Sequence, residues 1–89
     1  MVHEKEQYIN QIITYIRCNF PVAKETVFPL NKSLIEEGIL DSYSIIEVVN
    51  YIEEEFHVSV GDDELVKDNF GSLINMADFI IKKSKKQPH

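Results

Sequence analysis

Gly38-Ile39-Leu40-Asp41-Ser42, running directly into Tyr43-Ser44-Ile45-Ile46-Glu47-Val48-Val49-Asn50-Tyr51-Ile52-Glu53-Glu54-Glu55-Phe56, decides the fold. Asp and Ser both open helices well, because a short oxygen-bearing side chain accepts a hydrogen bond from an otherwise unpaired first-turn N–H. A helix is therefore expected to begin at Asp41 or Ser42. Beyond that point Val48, Val49, Ile52 and Phe56 follow Ile45 at offsets of three, four, seven and eleven, one apolar stripe at the helical period. Stepping about 100° per residue places Tyr43, Glu47, Asn50 and Glu54 on the opposite face, which solvent or a partner must cover. Ser42 then stands at an exposed corner, at the positive end of a helix with an acidic outer face. Read alone it is a cap; a helix N-terminus is also a good place to hold a phosphate.

Working upstream, Tyr8, Ile9, Ile12, Ile13, Tyr15 and Ile16 predict a first helix from His3 to about Cys18. Pro21 stops it, since the residue before a proline is biased away from helical angles. Cys18 is expected to be a small packing residue. From Asn19 to Leu40 runs a long first loop in which Val22, Val27, Phe28, Leu30, Leu34, Ile35, Ile39 and Leu40 can lie along the bundle. Ser33-Leu34-Ile35-Glu36 has the form of a capping box, and Gly38 can end the turn it seeds.

Downstream, Val58-Ser59-Val60-Gly61 is read as an extended loop whose valines plug the core. Asp62-Asp63-Glu64-Leu65-Val66-Lys67, with acids in front and a base behind, is expected to form one or two helical turns. Asp68-Asn69-Phe70-Gly71-Ser72 makes a second turn and cap. Leu73, Met76, Ala77, Ile80 and Ile81 then predict a last helix from about Ser72 to Lys83, with Met76 and Phe79 in the core. The fold class expected is all-α: a small four-helix bundle of three main helices and one short one, with a long first loop.

Eighty-nine residues suit one domain with one core, spanning 1–89, its ordered part about 3–83 and a basic, frayed tail over 84–89. The apolar fraction of 44% and charged fraction of 27% are those of a globular chain. A single Cys excludes an internal disulfide, and no signal peptide or membrane span is evident, so a cytoplasmic monomer is expected. Charge is unevenly laid out: from Ser33 to Glu64 the chain carries ten acids and no Lys or Arg, within a net charge of -6. Such a window repels nucleic acid and favours partners with basic patches. The acids lack the alternating ligands and central Gly of a calcium loop, so no metal site is expected.

An enzyme needs a catalytic constellation. Ser42 has no Gly-x-Ser-x-Gly turn around it, and His3, His57 and His89 stand at no metal-ligand spacing. The chain reads as a binding protein and not an enzyme.

Asp41-Ser42, the run Ile45-Ile46-Glu47-Val48-Val49 and then Ile52-Glu53-Glu54-Glu55-Phe56 resemble the modification motif and second helix of acyl carrier proteins. The resemblance implies that Ser42 carries 4'-phosphopantetheine, donated by coenzyme A, whose thiol holds an acyl or aminoacyl group as a thioester. It implies a motif and capping role for Asp41, and a partner-docking surface of Tyr43, Ser44, Ile46, Glu47, Asn50, Glu53 and Glu54. The partners implied are a phosphopantetheinyl transferase, a loading ligase, and downstream synthases or transferases with basic docking patches. Fatty-acid carriers usually have one residue between the Gly and the Asp and a Leu after the Ser. Here Ile39 and Leu40 intervene and Tyr43 follows, which is more similar to discrete carriers loaded by adenylating ligases, D-alanyl and other aminoacyl carriers among them. The alternative is a small acidic interaction module with no prosthetic group.

Overall fold

In the computed structural model, which describes residues 4–86, four helices and one 3-10 turn surround a single buried cluster. Helix α1 spans Glu4–Asn19 and α2 spans Ser42–Phe56; a 3-10 turn at Asp62–Glu64 precedes the short α3, Lys67–Phe70, and α4 spans Leu73–Lys86. The described residues contain no strand. His3 and the tail residues 87–89 lie outside the described residues.

The expected periodicities became the observed faces. Ile9, Ile12 and Ile16 of α1 are buried, as are Ile45, Val48, Val49 and Ile52 of α2, and Leu73, Met76, Ala77, Phe79 and Ile80 of α4. Ridges of β-branched and long apolar side chains at helical spacing can interlock, and their burial supplies the main driving force for folding. Helix α1 runs to Asn19; the Asn19 side chain donates to the Tyr15 carbonyl and the chain then turns away before Pro21. Helix α2 closes with His57 in the left-handed region, at φ 56°, the conformation that ends a helix by turning the chain back.

The first loop is packed, but less completely than its composition suggests. Phe28, Leu34 and Leu40 are buried and Val22 and Ile39 half-buried, whereas Val27, Leu30 and Ile35 are exposed. The loop is anchored by backbone as well as by side chains. Leu34 N–H donates to the Gly71 carbonyl at 2.9 Å and Ile74 N–H to the Leu30 carbonyl at 3.0 Å. At its far end Arg17 donates to the carbonyls of Ala23, Lys24 and Thr26, and its guanidinium lies 4.7 Å from the centre of the Phe28 ring. These bonds satisfy loop carbonyls that no regular ladder serves.

Three expectations are corrected. Cys18 is exposed, not a packing residue, because it projects from the side of α1 opposite Ile12 and Ile16. The stretch from Asp62 to Lys67 is not continuously helical. Leu65 and Val66 break it, and α3 begins only at Lys67, since the carboxylate of Glu64 turns back to cap the Gly61 N–H at 2.9 Å and closes the 3-10 turn there. The capping box at Ser33 is half formed. Ser33 Oγ accepts the Glu36 N–H at 3.2 Å, but the Glu36 carboxylate reaches Lys67 instead of its own turn. Gly38, at φ 77°, ends that turn as expected. Helix α4 also runs a turn beyond Lys83, to Lys86.

Candidate functional site

The site is built where the first loop delivers the chain into α2. Leu40 is buried and Ile39 half-buried, so the chain is pinned immediately before Asp41. Asp41 is the N-cap: its backbone is extended, and its Oδ1 accepts the Ser44 N–H at 2.8 Å. That bond fixes Ser42 as the first helical residue, with Ile45 one turn on facing the core. Ser42 itself is exposed. The Asp41 carboxyl is held below its ordinary pKa by the bond from the Ser44 N–H and by the Ser44 hydroxyl, so the cap is an anion at neutral pH.

Beside Ser42 lies a groove of about 390 Å³ between the start of α2 and the segment Leu65–Gly71. Ile35, Ile45, Ile46, Leu65, Val66 and Phe70 supply its apolar lining, and Glu36 and Lys67 add charge to it. Exposed aliphatic side chains are normal singly. Here Ile35, Ile46, Leu65 and Val66 are all exposed and all line one groove.

The outer face of α2 is laid out as the periodicity requires. Tyr43 is 86% exposed, and Glu47, Asn50 and Glu54 are exposed with it. Ile46, at 42% exposure, sits between that face and the groove. Ser44 and Glu53 are half-buried and engaged within the fold, Ser44 through the Asp41 cap and Glu53 by accepting the Val60 N–H at 2.9 Å. The structure therefore brings Asp41, Ser42, Tyr43 and Ile46 to one corner and extends Glu47, Asn50 and Glu54 along the helix from it.

A sequence profile described as a phosphopantetheine attachment site matches residues 10–80, which include this corner, the groove and all but the ends of the bundle. The chain belongs to the phosphopantetheine attachment family. Individual curated proteins gave no match. Members of this family hold 4'-phosphopantetheine covalently, act as carriers and present what they carry to partner enzymes. The carrier's described residues contain no helix long and apolar enough to cross a membrane, and no group of three or more His, Cys, Asp or Glu able to hold a metal ion.

The carrier's groove was not legible in the sequence. Ile35 and the segment Leu65–Phe70 lie on opposite sides of α2 in the chain, and only the fold brings them together beside it. The available signal was the presence of bare apolar residues, Ile35 and Leu65-Val66, next to acids in stretches with no helical period.

Proposed function

We propose that this chain is an acyl carrier in which Ser42 is the attachment residue, and that residues 1–89 form one carrier domain. The observation that carries this reading is the exposure of Ser42 as the first residue of a capped helix at the mouth of an apolar groove. The residues present fit the group. The hydroxyl is accessible to a transferring enzyme, first-turn N–H groups favour a phosphodiester, and the groove offers an apolar bed beside it. In the attachment step the Ser42 oxygen bonds to phosphorus and the pyrophosphate bond of coenzyme A breaks. Adenosine 3',5'-bisphosphate leaves, and the hydroxyl proton passes to a base of the phosphopantetheinyl transferase. When bound, the arm supplies a thiol that holds an acyl or aminoacyl group as a thioester.

The protein's own residues position and present. Asp41 holds the first turn so that Ser42 is always offered in the same place. Tyr43, Ile46, Glu47, Asn50 and Glu54 offer an apolar anchor within an acidic field, suited to a basic helix on a partner enzyme. Ser44 and Glu53 belong to the same surface mainly by holding its backbone. The chain performs no catalysis itself in this reading, works in the cytoplasm as a monomer, and binds no nucleic acid because its acidic window repels phosphates. The two residues between Gly38 and Asp41, and Tyr43 after Ser42, favour a cargo loaded by an adenylating ligase, including aminoacyl and D-alanyl groups.

The test is intact mass before and after incubation with coenzyme A and a broad-specificity phosphopantetheinyl transferase, with Ser42→Ala as control. One added phosphopantetheinyl group in the parent and none in the variant supports the reading. Addition to both would place the attachment elsewhere. No addition, with a known carrier modified alongside, would favour an acidic interaction module, whose partner binding Ser42→Ala would leave intact.

A further inference from the structure

Phe20, Pro21 and Val22, at the start of the first loop, line a cavity of about 380 Å³ together with the end of that loop, Gly38 to Leu40, and with Asp41 and Ser44. The two ends of the loop therefore meet next to Ser42, in a space that shares no lining residue with the apolar groove. The later end is fixed by the burial of Leu40 and the cap at Asp41. The earlier end is fixed locally at its root: the Phe20 N–H donates to the Ile16 carbonyl at 3.0 Å, and the Phe20 ring meets Tyr15 edge-on with centroids 6.0 Å apart. Pro21 and Val22 then lead away from α1, and their course depends on what holds the chain beyond them.

Arg17 holds it. One guanidinium nitrogen donates to the Ala23 and Lys24 carbonyls at 3.4 and 3.2 Å, the other to the Thr26 carbonyl at 2.6 Å, and the group lies 4.7 Å from the centre of the Phe28 ring. The Thr26 N–H also donates to the Ala23 carbonyl at 3.1 Å, so the guanidinium grips a turn that is already closed. Its two anchorages are firm. Arg17 follows Ile16, fully buried on α1, and Phe28 is buried in the same core. A planar fork with several N–H donors can serve these carbonyls and rest on a ring at once, whereas a lysine ammonium is a point charge and cannot. Arg17 itself is exposed, and the apolar faces of α1, α2 and α4 pack without it, so its loss frees the turn and leaves the bundle closed.

Resting on the reading of Ser42 as the attachment residue, we infer that Arg17 is a positioning residue for transfer to Ser42: by gripping the turn 23–26 it keeps Phe20, Pro21 and Val22 in one arrangement beside Asp41. The transferase then meets a single surface on the loop side of the serine. Without the grip this stretch samples several arrangements, of which the enzyme engages one. Apparent affinity falls by the fraction of carrier in that arrangement, while turnover of the bound carrier stays the same.

The experiment measures rates of phosphopantetheinyl transfer from coenzyme A against carrier concentration, with a broad-specificity transferase and well below every melting temperature, for the parent, Arg17→Lys and Arg17→Met. Amide hydrogen exchange is read by mass spectrometry on the same three proteins. Arg17→Lys keeps the charge, so a change that it shares with Arg17→Met does not come from electrostatic steering. Both variants are expected to exchange faster over residues 20–27 and 38–41 with α4 unaltered, and to raise KM for the carrier roughly three- to tenfold at unchanged kcat. A merely structural role would lower melting temperature and leave KM where it was. That outcome, a loss confined to kcat, or a raised KM in Arg17→Met alone, which would make Arg17 a surface charge, overturns the inference while leaving the attachment reading intact. A parent that gains no mass at Ser42 overturns both.

Discussion

Asp41 Oδ1 accepts the Ser44 N–H at 2.8 Å, and this bond sets the helix that displays Ser42. Cap and candidate attachment residue are therefore adjacent but do different work, and substitutions can separate them. Asn keeps an oxygen in the capping position and removes the charge; Ala removes both. Asp41→Asn is expected to melt close to the parent, and Asp41→Ala several degrees lower, followed by circular dichroism. If the transferase reads the carboxylate, Asp41→Asn will load slowly despite an intact fold. If it reads only the helix start, loading will follow the melting order.

Acid should expose a second carboxylate. Glu64 accepts the Gly61 N–H and pairs with Lys83 Nζ at 2.8 Å, and these partners hold its pKa below 4.5, as the Ser44 bonds hold Asp41 below 3.8. Both groups bind protons more readily in the unfolded chain. Stability therefore rises with pH through this region, is fully present above the ordinary carboxylate values, and is lost as pH falls through the lowered folded values. In Glu64→Gln the fall in melting temperature between about pH 5 and pH 2 should be shallower than in the parent, with the curves furthest apart at neutral pH. Parallel curves would mean that Glu64 contributes nothing to acid unfolding.

Two isoleucines less than two turns apart on α2 separate core from surface. Ile52 is fully buried, whereas Ile46 is 42% exposed at the groove. Ile52→Ala should cost about 2–5 kcal/mol in denaturant unfolding, from lost burial and the cavity left behind. Ile46→Ala should stay within about 0.5 kcal/mol of the parent. The expected losses reverse for partner association, measured with any basic enzyme that the loaded carrier serves. A large stability loss in Ile46→Ala would show that it is packed, and would remove it from the docking face.

The helices were legible because each of α1, α2 and α4 repeats its apolar residues at a period that only a helix can bury on one side. The start of α2 was legible because Asp41 has a specific local partner three residues on. What sequence could not show was contact between distant segments. Arg17 reads as one more basic residue on α1, yet it closes the first loop by bonding three of its carbonyls. Glu36 fits a local capping pattern, and only the fold brings Lys67, 31 residues away, close enough to take its carboxylate. Cys18 was misplaced for the converse reason. Near the end of α1 a small apolar side chain suits either face, and the backbone there turns it outward. Ser42 and the outer stripe of α2 were readable locally; the groove beside them was not.

Salt should act on two opposing sets of charges. Between Ser33 and Glu64 ten acids repel one another; among the described residues Glu36 and Glu64 are joined by ion pairs to Lys67 and Lys83. Screening weakens those pairs and the Lys5–Asp78 pair, but exposed pairs contribute little, about 0–1 kcal/mol each. It weakens the larger repulsion at the same time. The balance favours the folded chain, so melting temperature should rise as sodium chloride is raised from low to physiological ionic strength and beyond. A divalent cation should produce the same rise at lower concentration. A fall in melting temperature across the titration would mean that the ion pairs outweigh the acidic window. Glu36→Gln, which removes one acid and one pair together, would then melt below the parent at low salt instead of above it.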